Sequence, residues 1–398
     1  MPVLILFILG LALHLWSRRL LPEGTGQRRW GAVFLLLFVP CLASTFASEM
    51  PEDSLKVCIV LFTTYWVGLA LLHGLASGGH ARLARWVGVV LVVWCVDGLV
   101  QWVYGRDLAG IPLGDNRVVG LFVDNLHLSL FTLVLMPLLL WPMAERRPWL
   151  TTFAFAVLSA LATLGGARTA FIFSFLIAIG LFFKFSYWKH RLALVLLCLV
   201  PIVAASFSPM IKARAFDYDY RQLASAMKVG DRQRLFSQMD EFSSFRLIIW
   251  ETAGRMLWDR PLLGVGPSAF NDVYGRYSQR PNDPFREGGG ARVYHAHQMY
   301  VGMAAESGLV GLAGLLVAIG LCWRWYRLAE PAVRQRAAPF AASLALIAFP
   351  INSQPVLYMG WWFPIVLLLL CGMLAALDDT AHAAPVRTPV GDCLDPVK

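Results

Sequence analysis

The chain has 398 residues, of which 58% are hydrophobic and only 15% charged, and its mean hydropathy is +0.60. Soluble domains of this length carry far more charge and shorter apolar runs, which excludes a soluble globular domain. The net charge of +9 is likewise no sign of nucleic-acid binding, because a membrane protein gathers Lys and Arg in the loops of one membrane face.

Apolar runs approaching the length of a bilayer crossing recur at about 2–16, 31–47, 57–76, 86–104, 118–141, 150–166, 169–183, 192–207, 308–323, 338–352 and 358–377. The first has the apolar core of a signal peptide. No basic segment precedes it and no small-residue cleavage site follows, so it reads as a span. The fold expected is an all-α polytopic integral membrane protein with about 11–12 transmembrane helices. Eleven spans put the N-terminus outside; a twelfth arises if a helix precedes residue 1 or if one run holds two short helices.

Basic loops (Arg18/Arg19/Arg28/Arg29, Arg82/Arg85, Arg146/Arg147, Lys184/Lys189/Arg191 and Arg324/Arg327/Arg334/Arg336) alternate with acidic or mixed ones such as "SEMPEDS". The positive-inside rule makes the basic loops cytoplasmic and places about 208–296 on the opposite face. The expected domains are 1–207 (N-terminal helices), 208–307 (outer loop domain with a re-entering segment), 308–377 (C-terminal helices) and 378–398 (a polar cytoplasmic tail). None of the seven cysteines falls in the outer loop, so no disulfide framework holds it.

Within the loop, "SSFRLIIWETAGRMLW" reads as a helix capped by Ser243 or Ser244, with Glu251 paired to Arg255 one turn along. Pro261, Gly264, Gly266 and Pro267 in "DRPLLGVGPSAF" stop that helix. "SQRPNDPFREGGGARVYHAH" has the composition of a mobile lid.

Three features of the outer face carry chemistry. Arg168, in the tight turn "GGARTA", stands against the positive-inside trend. It reads either as an interfacial snorkelling side chain or as a guanidinium for lipid phosphates. Arg246 opens the loop helix with Trp250 one turn on, and alone it would be a solvated face. Two arginines reaching one pocket suit a pyrophosphate, which rewards bidentate donors. His295 and His297 stand at the mouth of the run "YHAHQMYVGMAAESGLVG". Their i,i+2 spacing does not suit paired helical metal ligands, and no further Cys or His in the loop completes a set, so no metal site is expected. The "FDYDY" carboxylates Asp217 and Asp219 read as a solvated turn. A neutral imidazole, with an ordinary pKa near 6.5, suits a general base.

Other polar residues have plainer readings. Asp124, Asn125 and His127 either line a cavity or satisfy one another between helices. Arg280, Arg286 and Arg292 read as a solvated loop face or as contacts for anionic phosphates. Glu306 lies too far along a straight helix to reach His297 and is left to orient a loop or end a helix. Gln354 and Pro355 mark an outer turn.

The stretch His297, Gln298, nine residues, Gly308, two residues, Gly311 resembles the signature of the O-antigen ligase family. "GGARTAFIF" resembles the family's short outer turn with its arginine, at Arg168. "FRLIIWETAGRMLWDRPLLGVGPSAF" resembles the start of its conserved loop, with the arginine at Arg246. The resemblance implies a C-type glycosyltransferase-like bundle under a large periplasmic loop domain, in the inner membrane of a Gram-negative bacterium. It implies transfer of undecaprenyl-pyrophosphate-linked O-antigen to a sugar hydroxyl of the lipid A–core oligosaccharide, inverting and without metal, cofactor or nucleotide sugar. His297 would be the base, with Arg168 and Arg246 on the leaving group; His295, Gln298, Arg292, Trp250, Asp124 and His127 would bind substrate. Gly308 and Gly311 would bend a membrane-surface helix down into the bilayer. Two readings stay open beside it. One is an O-antigen polymerase or protein O-oligosaccharyltransferase of the same superfamily. The other is a lipid-linked glycan flippase, against which stand the rim position of the polar residues and the lack of a visible repeat.

Overall fold

The computed structural model describes residues 24–114, 117–122, 127–167, 169–207, 220–280, 283–286, 295–350 and 361–379. Within these, regular structure is helical and the only strand-like pairing is two isolated bridges. The apolar runs become α1 (Thr25–Phe46), α2 (Pro51–Leu75), α3 (Gly79–Tyr104), α4 (His127–Ala144), α5 (Pro148–Leu164), α6 (Thr169–Lys184) and the consecutive α7 (Trp188–Leu197) and α8 (Val200–Ser206). The loop region supplies α9 (Tyr220–Val229), α10 (Arg232–Phe242), α11 (Arg246–Asp259) and α12 (Phe270–Tyr277). The chain then returns through α13 (Met299–Leu328), α14 (Pro331–Ala348) and α15 (Phe363–Asp378). Among the described residues, six segments are long and apolar enough to cross a membrane: α1, α2, α3, α4, α7–α8 and α13; α5, α6 and α15 are shorter apolar helices. The chain is thus an all-α, multi-pass membrane protein. The run at 2–16 and the tail after residue 379 lie outside the described residues.

The helices outlast their apolar runs wherever a polar turn can end in water. α13 begins at Met299, nine residues before its run, and α14 at Pro331, seven before. Pro331 opens α14 at a position whose N–H would have no helical partner anyway. One expectation needs correcting: residues 118–122 are not part of an α-helix. Residues 105–114 and 117–122 form a loop held by two isolated antiparallel bridges and ending in a short 3₁₀ turn, Gly120–Phe122. Gln101, buried on α3, holds it. Its Oε1 accepts the N–H groups of Val119 and Gly120, each at 2.8 Å, and its amide donates to Ile111 and Pro112. Asp97, a turn earlier, accepts the N–H of Leu108 at 3.0 Å. A helix continued through 118–122 would orphan both buried side chains.

A large apolar core joins α1–α7 with α13–α15. A separate core of Ile248, Ile249, Met256, Val265, Phe270, Val273 and Tyr274 holds the loop helices together. One of the places where the two bodies meet is polar. The N–H of Glu49, in the α1–α2 turn, donates to Val265 O at 3.0 Å, and Ser54 Oγ donates to Pro267 O at 2.8 Å. Arg260 reaches back to Ala47 O at 2.8 Å and pairs with Glu49 at 3.3 Å. The acidic "SEMPEDS" turn and the loop helices therefore share one face.

Candidate functional site

The floor of the site is a broken helix. At Gly308 the backbone of α13 leaves helical geometry, with φ +65° and ψ −166°. The turn Pro261–Gly266 fills the break: Leu309 N–H donates to Pro261 O at 2.8 Å and Val310 N–H to Leu262 O at 3.2 Å. From the other side, Val265 and Gly266 donate their N–H groups to Ala305 O and Glu306 O. A Cβ on Gly308 would stand 2.2 Å from Leu262 O, so no other residue fits there. The bend also folds Ser307 and Met303 over Gly311, where a Cβ would meet Ser307 Cβ at 2.3 Å. Both glycines thus sit at one kink. Glu306, buried beside it, accepts the N–H groups of Ser268 and Phe270 and so anchors the start of α12; it orients a loop, not the histidines.

Gln298 starts α13. Its Oε1 accepts the N–H of Val301 at 2.6 Å, capping the helix, while its Nε2 donates to Pro350 O at 3.2 Å beyond α14. Tyr300 OH donates to Ala348 O nearby. Just before the cap, His297 takes a left-handed backbone, φ +51°, which sends the chain back on itself. The imidazoles of His295 and His297 consequently face one another with ring centroids 4.2 Å apart. His297 is half-buried. His295 is half-buried as well, and burial with His297 beside it pushes its pKa down to about 3. It is therefore neutral at any ordinary pH. Its Nδ1 is buried with no hydrogen-bond partner among the described residues.

Trp250 ties this turn to α11. Its indole N–H donates to Ala296 O, between the two histidines, at 2.9 Å. Arg246 precedes Trp250 by four residues on the same helix and so shares its face. The helix start differs from the expectation. Ser244 and Phe245 both adopt positive φ, and Ser243 Oγ accepts only the N–H of Arg246, at 3.2 Å. The main cap is Asp240, a buried carboxylate on α10 that accepts the N–H of Ile248 at 3.0 Å and also that of Leu247. Its separation from the helix it caps left no local signal. The expected pair of Glu251 and Arg255 is present at 2.5 Å, and Arg280 joins it at 2.6 Å while lying over the Phe236 ring. Arg280 is thereby an internal tie of the loop domain, whereas Arg286 is exposed. The "lid" is partly pinned too, because Asp283 is buried and accepts from Tyr274 OH and Ser278 Oγ.

Arg168, Asp124, Asn125, Arg292, Asp217, Asp219, Gln354 and Pro355 lie outside the described residues. The residues on either side of 168 are described. They join α5 to α6, and Gly165 is pressed against Ser129 of α4, where a Cβ would meet Oγ at 2.1 Å. Phe173, one turn into α6, meets Phe349 with ring centroids 6.5 Å apart. Phe349 adjoins Pro350, the carbonyl that Gln298 holds. The start of α6 and the His297–Gln298 turn are thus neighbours across the end of α14. His127 stacks on Phe131 at 5.2 Å and lies near Phe122 and Trp361, so its described surroundings are aromatic.

Trp250, His295, His297 and Gln298 are therefore held at one turn, with Arg246 four residues before Trp250 on the same face of α11. Among the described residues no group of three or more His, Cys, Asp or Glu could hold a metal ion. Comparison with curated proteins finds no match. Residues 153–316, which span the turn at 168, α11, both histidines and both signature glycines, match the family model described as O-antigen ligase, so this stretch of the chain is similar to that family.

Proposed function

We propose that the protein is a glycosyltransferase that moves O-antigen from undecaprenyl pyrophosphate to a sugar hydroxyl of lipid A–core oligosaccharide, at the periplasmic face of the inner membrane. The observation that carries the reading is the His297–Gln298 turn, pinned by Trp250 beside Arg246 above a kinked membrane helix, within the stretch matching the O-antigen ligase model.

In this reading His297 accepts the proton of the acceptor hydroxyl, and the freed oxygen attacks the anomeric carbon of the donor sugar. The bond from that carbon to the pyrophosphate oxygen breaks on the opposite side, inverting the centre. Arg246 and Arg168 stabilise the charge gathering on the leaving lipid pyrophosphate, and imidazolium then releases its proton to water. His295 stays neutral, so it places no positive charge beside His297 to oppose proton uptake.

Complementation of a deletion strain tests this. His297→Ala and Arg168→Ala are expected to insert normally and to leave lipopolysaccharide as bare core. A normal ladder from either variant would overturn the assignment. Core bearing a single repeat unit in the deletion strain would instead identify a polymerase. Transfer by the purified chain in detergent, with no compartments present, separates catalysis from transport.

A further inference from the structure

At the opposite ends of these helices, far from His297, the bundle holds a cleft of about 1080 Å³. That volume lies at the upper end of the roughly 300–1,000 Å³ typical of ligand sites. The first turns of α3, the last turn of α4, the end of α6 and the start of α14 enclose it, all on the face that carries the basic loops.

Arg85, Arg146, Lys184 and Arg336 ring its wide end. Glu145 is the one carboxylate among the described residues that line it. It is already engaged by Lys184 at 2.7 Å and by Gln335 at 3.0 Å. Those contacts, with Arg146 adjoining, hold its carboxyl below the usual carboxylate range. Arg336 spends one N–H on the neutral carbonyl of Asp379, at 2.7 Å, and its Nε is buried without a partner among the described residues. Three guanidinium groups thus line one cleft whose single lining carboxylate among the described residues, Glu145, is already engaged by Lys184 and Gln335.

The other end of the cleft is apolar. Val89, Val92 and Val93 of α3 line it while remaining 50%, 53% and 52% exposed, so the cleft opens sideways into the hydrocarbon that covers α3. Leu139 and Trp141 of α4 form the facing wall. A cationic mouth above an apolar wall open to lipid matches a molecule with an anionic phosphate head and acyl chains.

The geometry points to a binding site for one anionic glycerophospholipid of the basic-loop leaflet, its phosphate among Arg85, Arg146 and Arg336 and its chains along the α3 valines. Bound there, it joins α3, α4, α6 and α14 at the face opposite the candidate active site. A soluble phosphate would use the arginines but not the lateral opening, which is why a membrane lipid is the occupant.

Native mass spectrometry of the purified full chain, mixed with dioleoylphosphatidylglycerol or dioleoylphosphatidylcholine, tests the site. One phosphatidylglycerol should survive activation that strips phosphatidylcholine. Arg85→Ala with Arg146→Ala, both exposed positions, should weaken its retention about tenfold. Val92→Trp should do the same with every charge in place, by filling the lateral opening. Arg324→Ala with Arg327→Ala removes as much charge from the same face outside the cleft and should change nothing. Equal loss in that control would reduce the effect to a general attraction of the basic face and overturn the proposal. Displacement by millimolar glycerol phosphate, or equal retention of phosphatidylcholine, would overturn it as well.

Discussion

Gly308 and Leu262 are interlocked: the carbonyl of Leu262 accepts the N–H of Val310 and occupies the space that any side chain at 308 would need. The break in α13 is therefore not a weak point in a membrane helix. It is a socket, and the turn after α11 is the plug. Because α11 carries Arg246 and Trp250 while α13 carries Gln298, this contact fixes two halves of the candidate site against each other.

Gly308→Ala should consequently destabilise the protein by about 3 kcal/mol, since that backbone region is essentially reserved for glycine and the added methyl meets main chain instead of a flexible side chain. Thermal unfolding in detergent reads it, and a variant melting like the wild type would show that the kink is not as described. Transfer activity should be lost with it.

Trp250→Phe keeps most of the ring but removes the N–H that holds Ala296 O, a bond worth about 1 kcal/mol. Global stability should shift little, while amide exchange at 295–298 should quicken and transfer should slow. Unchanged exchange in that segment would mean that Trp250 does not restrain the histidine turn.

Asp240→Ala leaves the N–H groups of Leu247 and Ile248 without their acceptor and should cost about 1–2 kcal/mol, with the start of α11 and Arg246 loosened. Asp240→Asn retains an acceptor oxygen and should recover most of both stability and activity. If the asparagine variant proves as damaged as the alanine variant, the carboxylate has a role beyond capping.

The differences between sequence expectation and structure share a cause. Apolar runs mark only the part of a helix that lipid or core touches, so α13 and α14 were found but started too late. The converse holds at 118–122, where apolar residues form a loop because Gln101, 18 and 19 residues from the N–H groups it accepts, supplies hydrogen bonds. Asp240 escaped notice because capping patterns are local and this cap comes from another helix. The kink was legible because Gly308 and Gly311 stand in the same run as the histidines. Its partner, the Pro261–Gly266 turn, read only as a helix stop. The resemblance to the ligase signature singles out His297; what holds its turn, the indole of Trp250 and the carbonyl of Pro350, depends on contacts that no local pattern encodes.

The pH dependence of the histidine turn follows from His295. Its folded pKa of about 3 lies below the ordinary imidazole value near 6.5, so between those limits the opened turn binds a proton that the packed turn does not. The packed turn is therefore fully stable above about 6.5 and loses stability progressively as pH falls toward 3. Amide exchange at 295–298 should quicken across that interval in the wild type. In His295→Phe, which keeps a ring against His297 but cannot be protonated, that acid dependence should flatten. An acid limb of exchange that persists unchanged in His295→Phe would assign the titration to another group and remove the reason for regarding His295 as the neutral neighbour of His297.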